Sequence, residues 1–123
     1  MKLILIEFQV AIAKFSDLQL LKIVVVGSKD LVAMDTNLFT SDSSDPYVKV
    51  RFGDIETTSK VIKQTLNPTW DFHCQLAVPR DARDAGSLEI EVWDEDKMKS
   101  DDFLGRINVP VKELCHSRPT GSW

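Results

Sequence analysis

Apolar and polar residues alternate with a period of two through most of this chain. The alternation is clear at Tyr47–Phe52 and at Leu88–Trp93, each of which has one apolar face and one mostly polar face. A period of two is typical of β-strands that are buried on one side. Further runs with this period lie at Ile4–Ile12, Phe72–Val78 and Ile107–Val111. The pattern predicts several short strands and gives little sign of helices.

Two stretches near the start of the chain depart from simple alternation. Leu20–Val26 is apolar nearly throughout, which is typical of a strand packed on both sides. Residues 1–19 form either a first strand or a short helix. Clusters of Pro, Asn, Asp and Ser separate the predicted strands, and 123 residues are enough for one hydrophobic core. We therefore predict a single all-β domain over 1–123, an antiparallel sandwich or barrel.

The acidity of the chain is concentrated in two predicted loops. Residues 35–45 hold three acids and no base, and residues 94–102 hold five acids and two lysines. Together these loops carry a net charge of −6, whereas the whole chain carries −4, so the remainder carries +2. An acidic loop is often only a solvated surface. The repeated aspartates at the ends of predicted strands favour a more specific role.

Aspartates from two loops can bind a hard cation such as Ca²⁺, which prefers six to eight oxygen ligands. Like charges about 4 Å apart repel by ~4 kcal/mol at an effective dielectric constant of ~20, and a cation between them relieves that repulsion. An EF-hand is excluded: in a loop that starts at Asp94, Lys99 takes the glycine position and Gly105 the position of the bidentate glutamate. The ligands must converge from separate loops.

Four motifs in a fixed order give the chain a family resemblance. They are Lys29–Asp35 (KDLVAMD), Ser44–Val50 (SDPYVKV), Thr65–Trp70 (TLNPTW) and Val92–Asp96 (VWDED), the last leading to Asp102–Gly105 (DFLG). In this order they resemble the C2 domain, the calcium-dependent phospholipid-binding module of protein kinase C and the synaptotagmins. The resemblance covers most of residues 20–111 and implies a Greek-key antiparallel β-sandwich with its metal loops at one end. We expect the last strand to be missing or only begun, with 112–123 as a truncated end.

The resemblance also implies a set of Ca²⁺ ligands. Its aspartate positions correspond to five aspartates of this chain: Asp35, Asp45, Asp94, Asp96 and Asp102. Asp35 and Asp45 are ten residues apart, further than is usual in the family, and Asp42 is the substitute for Asp35. Lys99 occupies a position where some relatives supply a further oxygen. The resemblance therefore implies two bound ions more readily than three.

In C2 domains the tips of the metal loops contact the bilayer. The residues at the matching tips of this chain are Leu38, Phe39, Lys97, Met98 and Lys99. The expected partner is an anionic phospholipid membrane containing phosphatidylserine.

A candidate phosphoinositide patch follows from the same resemblance and consists of Tyr47, Lys49, Lys60 and Trp93. We predict that Lys60 and Lys63 lie on the strand that follows the predicted strand Tyr47–Phe52. Glu89 and Glu91 share the predicted face of Trp93 and weaken its positive field. An ordinary solvated sheet face is the equal alternative.

Other features narrow the functional classes. The only histidines, His73 and His116, lie near no nucleophile and there is no glycine-rich phosphate loop, so we predict no enzymatic activity. Two cysteines are too few for a disulfide framework and favour the cytoplasm, with peripheral membrane attachment on Ca²⁺ binding. We expect a monomer without a nucleic-acid partner. Two alternatives stay open: a C2 domain that binds a protein partner independently of Ca²⁺, and a regulatory fragment of a kinase, lipase or ubiquitin ligase.

Overall fold

The fold consists of two antiparallel β-sheets. A computed structural model describes residues 4–31, 44–79, 86–111 and 113. Within these ranges lie seven strands: β1 (Leu5–Lys14), β2 (Leu18–Lys29), β3 (Pro46–Phe52), β4 (Ile55–Thr58), β5 (Thr69–Pro79), β6 (Ser87–Asp94) and β7 (Asp102–Pro110). One sheet has the order β1-β2-β5 and the other β4-β3-β6-β7. The predicted all-β antiparallel sandwich is confirmed.

The first part of the chain is a hairpin. β1 pairs with β2 from Leu5↔Lys29 to Lys14↔Gln19, and the turn between them is closed by the Phe15 N–H, which donates to the Leu18 carbonyl at 2.8 Å. For residues 1–19 the sequence left a first strand and a short helix open, and the structure shows the strand, β1. The predicted truncated end, 112–123, lies outside the described residues except for Glu113. No helix in the described part of the chain combines the length and apolar character needed to cross a membrane.

The core lies between the two sheets and is formed by every second side chain of the strands. Its fully buried members are Ile6, Phe8, Leu21, Ile23, Val25, Val48, Leu88, Ile90, Val92 and Val111. Burial of a large apolar side chain contributes roughly 1.5 to 3 kcal/mol, so this shared core holds the loop-bearing strand ends in fixed positions.

β2 is packed fully on one side only. Leu21, Ile23 and Val25 are completely buried, whereas Leu20, Val24 and Val26 are half-buried and Lys22 is exposed. The prediction that Leu20–Val26 is packed on both sides is therefore wrong for the outer face. β2 is the central strand of a three-stranded sheet, so β1 and β5 flank its outer residues, and no further strand of the described ranges covers them.

β4 is shorter than the sequence pattern suggested. It ends at Thr58, so Lys60 and Lys63 lie after the strand and not on it, contrary to the prediction. The reason is Ser59, whose hydroxyl accepts the Val48 N–H at 2.9 Å while its own N–H donates to the Val48 carbonyl at 2.9 Å. A side-chain oxygen thus takes the place of the next backbone acceptor, and the ladder of backbone hydrogen bonds ends.

Gly27 permits a close approach between β2 and the chain before β5. A Cβ atom on Gly27 would lie 2.4 Å from the Pro68 carbonyl oxygen, and the same oxygen accepts the Ser28 N–H at 3.0 Å. β2 is irregular here, since its pairing with β5 shifts between Val25 and Gly27. Any side chain at this position would push the two backbones apart.

We expect Gly27→Ala to lower the free energy of unfolding by about 1 to 3 kcal/mol, the usual cost of forcing extra atoms into a packed site. Urea denaturation of the two proteins measures the difference. Gly105→Ala is the comparison, because the three atoms nearest to its Cβ would all belong to the side chain of Ile4. A Gly27→Ala midpoint equal to that of the unsubstituted protein would contradict the expectation.

Candidate functional site

One end of the sandwich collects three connections between strands. The Thr65 N–H donates to the Ser44 carbonyl at 2.9 Å, and the Leu31 N–H donates to the Leu66 carbonyl at 2.9 Å. These bonds tie the chain between β4 and β5 to both sides of the β2–β3 connection. The β6–β7 loop joins them through the Glu95 N–H, which donates to the Asp45 carbonyl at 3.0 Å. The described flanks of the β2–β3 connection and the β6–β7 loop therefore lie at the same end of the sandwich.

Three of the predicted metal ligands occupy neighbouring strand ends. Asp94 is the last residue of β6 and pairs with Asp102, the first residue of β7. On its other side Asp94 pairs with Pro46, the first residue of β3, and Asp45 immediately precedes Pro46. Because adjacent antiparallel strands are ~4.8 Å apart, the three aspartates form one row across the end of the sheet.

Asp94 and Asp45 are held by backbone hydrogen bonds. Asp94 is fully buried, and its Oδ1 accepts the Asp45 N–H at 2.7 Å. The Asp45 Oδ1 accepts the N–H of Gln64, a residue with a left-handed backbone conformation, at 2.7 Å. A buried carboxylate is unfavourable unless hydrogen bonds or a positive charge compensate for its lost solvation. Among the three aspartates of the row, the environment of Asp94 thus most favours a nearby cation.

Asp96 lies two residues further along the β6–β7 loop and shapes it. Its Oδ1 accepts the Met98 N–H at 2.8 Å and the Lys99 N–H at 3.2 Å. Its own N–H donates to the Asp101 Oδ1 at 2.9 Å. Lys99 reaches back toward Asp102, with 3.9 Å between Lys99 Nζ and Asp102 Oδ1.

The donor set fits a hard cation in chemistry and in placement, but the side chains do not converge as they would around an ion. Carboxylate oxygens are the ligands that Ca²⁺ prefers. Among the described residues, however, no three His, Cys, Asp or Glu side chains form a group able to hold a metal ion. Asp96 faces its own turn and Asp102 faces Lys99. Asp35 and its substitute Asp42 lie outside the described residues.

The tip of the β6–β7 loop is exposed. Met98 is 93% exposed, and Lys97 and Lys99 beside it are also exposed. The corresponding residues of the other loop, Leu38 and Phe39, lie outside the described residues. An apolar side chain between two lysines at the end of a domain is suited to contact with an anionic surface.

The candidate phosphoinositide patch is assembled on the outer face of the larger sheet. Tyr47 pairs with Trp93, and Lys49 Nζ lies 4.6 Å from the centre of the Trp93 ring. Lys60 is exposed and directly follows Ser59, whose N–H donates to the Val48 carbonyl of β3. The structure thus brings the four residues to one region, and their role there stays a prediction.

Acidic side chains occupy much of this face. Glu56 is 3.9 Å from Lys49 Nζ and 3.1 Å from Arg51 Nη2, and Glu91 is 3.7 Å from Arg51 and 3.4 Å from Arg106. Each of these cations is therefore shared with glutamates of the same sheet. A bound phosphoinositide would have to compete with these ion pairs.

Sequence reasoning missed the packing of Phe103 between Trp93 and Arg106 on this face and, as a second contact, the hydrogen bond between Tyr47 and Asp101. Phe103 packs edge-on against Trp93 with 5.3 Å between ring centres, and Arg106 lies 5.7 Å from the Phe103 ring. The Tyr47 hydroxyl donates to the Asp101 carboxylate, which links the sheet to the β6–β7 loop. The signal that could have revealed the second contact is the placement of Tyr47 one residue after the start of β3, level with the loop.

The Tyr47–Asp101 contact changes the protonation equilibria of both groups. Burial, and then the hydrogen bond to Asp101, raise the pKa of the Tyr47 phenol far above its ordinary value. The Asp96 N–H, and then the Tyr47 hydroxyl, lower the pKa of the Asp101 carboxyl. Asp101 therefore stays ionised and keeps both hydrogen bonds throughout the physiological pH range.

The fold and this row of aspartates define a β-sandwich domain with a candidate cation site in its end loops. The sequence profile of the C2 domain matches residues 19–123. The chain therefore belongs to the C2 domain family, and the resemblance drawn from its motifs is confirmed.

Relatives with curated descriptions are much longer than this chain. It is 36% identical to multiple C2 and transmembrane domain-containing protein 1 of Homo sapiens, over 92% of this chain and 12% of that protein. It is 33% identical to extended synaptotagmin-1 of Pongo abelii, over 90% of this chain and 10% of that protein. The chain thus spans about a tenth of the length of these relatives.

Solved structures agree with the fold. A calcium-bound pair of C2 domains from extended synaptotagmin 2 matches with a TM-score of 0.69 and 35% identity, over 77% of this chain and 35% of that one. A C2 domain of RIM from Drosophila matches with a TM-score of 0.75 over 98% of this chain and 95% of that one. The second match is 18% identical and shows likeness of fold alone.

Proposed function

We propose that this domain binds Ca²⁺ between its end loops and thereby docks on anionic phospholipid membranes. The ligands are Asp45, Asp94, Asp96 and Asp102, completed by Asp35 or by Asp42 in its place. The observation that carries the proposal is the row formed by Asp45, Asp94 and Asp102 across three neighbouring strand ends. The calcium-bound state of the extended synaptotagmin 2 domains, at 35% identity, supports the same ion.

The ion acts as an electrostatic switch. Without it the loop end carries clustered carboxylates and repels an anionic surface. With it the potential changes sign, and the ion bridges the aspartates to phosphate and carboxylate groups of phosphatidylserine. Lys97 and Lys99 then each add about 1 kcal/mol of attraction to an anionic leaflet. Met98 enters the interface between them.

The domain serves as a targeting module of a larger protein at the cytoplasmic face of a membrane. The short share of each relative that it matches supports this context. It acts as a monomer and carries no catalysis of its own, because a C2 domain is a non-catalytic module. Phosphoinositide binding at Tyr47, Lys49, Lys60 and Trp93 is a further role that the ion pairs of that face oppose.

A second candidate function is recognition of a protein partner without Ca²⁺. The observation in its favour is that the described carboxylates do not form a group able to hold a metal ion. Asp96 is committed to the turn of its loop, and Lys99 lies beside Asp102. In this alternative the loop end is a fixed polar surface.

Calorimetric titration separates the two functions. Injection of Ca²⁺ into protein freed of metal is expected to give a saturable heat, and phosphatidylserine vesicles are expected to increase the apparent Ca²⁺ affinity because the two ligands are thermodynamically linked. Mg²⁺, which demands a tighter octahedral site, is the control and should bind more weakly. If Ca²⁺ gives no saturable heat either with or without vesicles, the proposed Ca²⁺ binding is wrong and Ca²⁺-independent recognition of a protein partner is favoured.

Replacing Met98 with alanine is expected to weaken binding to phosphatidylserine vesicles at saturating Ca²⁺ by about tenfold. Burial of such a side chain contributes roughly 1.5 to 3 kcal/mol, and ~1.4 kcal/mol corresponds to a factor of ten. Ca²⁺ affinity measured without vesicles should not change.

Ile55→Ala is the matched control for Met98→Ala, because Ile55 is 54% exposed but lies beyond the β3–β4 turn, at the opposite end of the sandwich. It should leave vesicle affinity unchanged. If Met98→Ala binds vesicles as tightly as the unsubstituted domain, electrostatic attraction alone drives docking.

A further inference from the structure

Tyr47 connects the outer face of the larger sheet to the β6–β7 loop. It is only 7% exposed and pairs across the sheet with Trp93. Its hydroxyl extends beyond the strand and donates to Asp101 Oδ2. A rigid aromatic side chain on a paired strand is a firm anchor for a loop residue, since its position is set by the sheet.

Asp101 connects Tyr47 to Asp96 through hydrogen bonds on its two carboxylate oxygens. While one Asp101 oxygen accepts the Tyr47 hydroxyl, the other accepts the Asp96 N–H at 2.9 Å. Asp96 in turn accepts the N–H groups of Met98 and Lys99. The hydrogen-bonded series therefore runs from the sheet through Asp101 to a proposed metal ligand and the exposed tip.

We propose that Tyr47 and Asp101 are positioning residues that hold Asp96 and the β6–β7 loop ready for Ca²⁺. The inference rests on the proposed function, since it assigns a role within the same site. Ordering a loop costs conformational entropy, and a loop that is ordered before the ion arrives does not meet that cost during binding. Asp101 acts through Asp96, since one of its oxygens accepts the Asp96 N–H while the other accepts the Tyr47 hydroxyl.

Substitutions at Tyr47 and Asp101 distinguish the loss of a positioning hydrogen bond from the loss of a negative charge. Tyr47 is neutral, and its hydroxyl donates to Asp101 and to none of the proposed ligands in the described part of the chain. Removing that hydroxyl therefore breaks the hydrogen-bonded series and leaves the charge of the site intact. Asp101→Ala breaks both hydrogen bonds and removes a charge. Asp101→Asn also removes the charge, but its amide oxygen can still accept the Asp96 N–H and its amide can still pair with Tyr47.

We expect Tyr47→Phe to weaken Ca²⁺ binding by about three- to tenfold, the usual net effect of losing one hydrogen bond. Asp101→Ala should weaken binding further, and Asp101→Asn should recover part of the loss. The control is Asp54→Asn, which removes one negative charge at the opposite end of the domain, in the turn between β3 and β4. Calorimetric titration with Ca²⁺ alone gives the four affinities, and thermal melting shows whether each variant is folded.

A spectroscopic measurement tests the connection first in the unsubstituted protein and then in Asp101→Ala. Tyr47 is the only tyrosine of the chain, so a protein labelled with ¹³C at the tyrosine Cζ gives one signal from the phenol carbon. Binding at one end of a linked series must be felt at the other. The signal should shift during Ca²⁺ titration of the unsubstituted protein, and it should also shift on Asp101→Ala before any Ca²⁺ is added.

The outcomes distinguish this inference from the function on which it rests. The positioning role would be overturned if folded Tyr47→Phe bound Ca²⁺ with unchanged affinity, or if the Tyr47 signal did not shift at saturating Ca²⁺. The Ca²⁺ site itself would be unaffected by either result. A failure of the unsubstituted protein to bind Ca²⁺ would overturn both. Weakened binding in Tyr47→Phe, unchanged binding in Asp54→Asn and a responsive Tyr47 signal would establish the role.

Discussion

Replacing Asp94 and Asp96 together with asparagine is expected to abolish Ca²⁺ binding in the physiological range. The change keeps side-chain volume nearly constant, and the amide oxygen introduced by Asp94→Asn can still accept the Asp45 N–H that Asp94 accepts. It removes two carboxylates from a site whose ion depends on them. Groups that merely support metal ligands change affinity by about 10- to 100-fold, so loss of two ligands should exceed roughly a hundredfold.

Calorimetry on the double variant measures this loss directly. The matched control replaces Asp17 and Asp54 with asparagine, which changes net charge equally at the two turns on the opposite end of the sandwich. The control should bind Ca²⁺ with unchanged affinity. Unchanged Ca²⁺ binding in Asp94→Asn/Asp96→Asn would show that the ion, if bound, lies elsewhere.

Saturating Ca²⁺ is expected to raise the melting temperature by roughly 10 °C. A ligand that binds only the folded state at a hundredfold excess over its Kd contributes about 2.7 kcal/mol. For a domain of this size, each kcal/mol shifts the melting temperature by about 3 to 5 °C, between the values for smaller and larger domains. The ion also removes the repulsion between Asp94, which is fully buried, and the neighbouring carboxylates.

Calorimetric melting in millimolar Ca²⁺ and in EGTA tests this stabilisation. The double variant Asp94→Asn/Asp96→Asn is the informative comparison, because its melting temperature should not respond to Ca²⁺. A common salt effect would shift both proteins equally. Identical melting temperatures of the unsubstituted protein in EGTA and in Ca²⁺ would contradict the account.

The sandwich could be predicted because its strands are visible in the residue pattern. At Tyr47–Phe52 and Leu88–Trp93 one sheet face is apolar and faces the core, while the other is mostly polar and, apart from Tyr47 and Glu91, only half-buried. A period of two records that difference directly. The exposure of the outer face of β2 was harder to predict, because the half-buried residues Leu20 and Val24 are as apolar as residues packed in the core. The end of β4 depended on one hydroxyl group, and Ser59 looks in sequence like any other serine.

The candidate site could be predicted in its residues but not in its side-chain geometry. The pattern placed two acidic segments where strands end, and the resemblance to the C2 family singled out Asp45, Asp94 and Asp102, which the structure arranges in one row. Whether a carboxylate faces an ion or a backbone N–H depends on local loop torsions, which composition does not encode. Asp96 is bonded within its own turn for this reason. The link from Tyr47 to Asp101 joins residues 54 positions apart and requires the register of three strands.

Calcium-dependent membrane binding is tested most directly by vesicle co-sedimentation of this domain. The four conditions are phosphatidylserine-containing or pure phosphatidylcholine vesicles, each with Ca²⁺ or with EGTA. We predict that the protein sediments with phosphatidylserine vesicles in Ca²⁺ and stays in the supernatant in the other three conditions. Equal sedimentation in Ca²⁺ and in EGTA, or none in any condition, would contradict the claim that Ca²⁺ switches this domain onto anionic membranes.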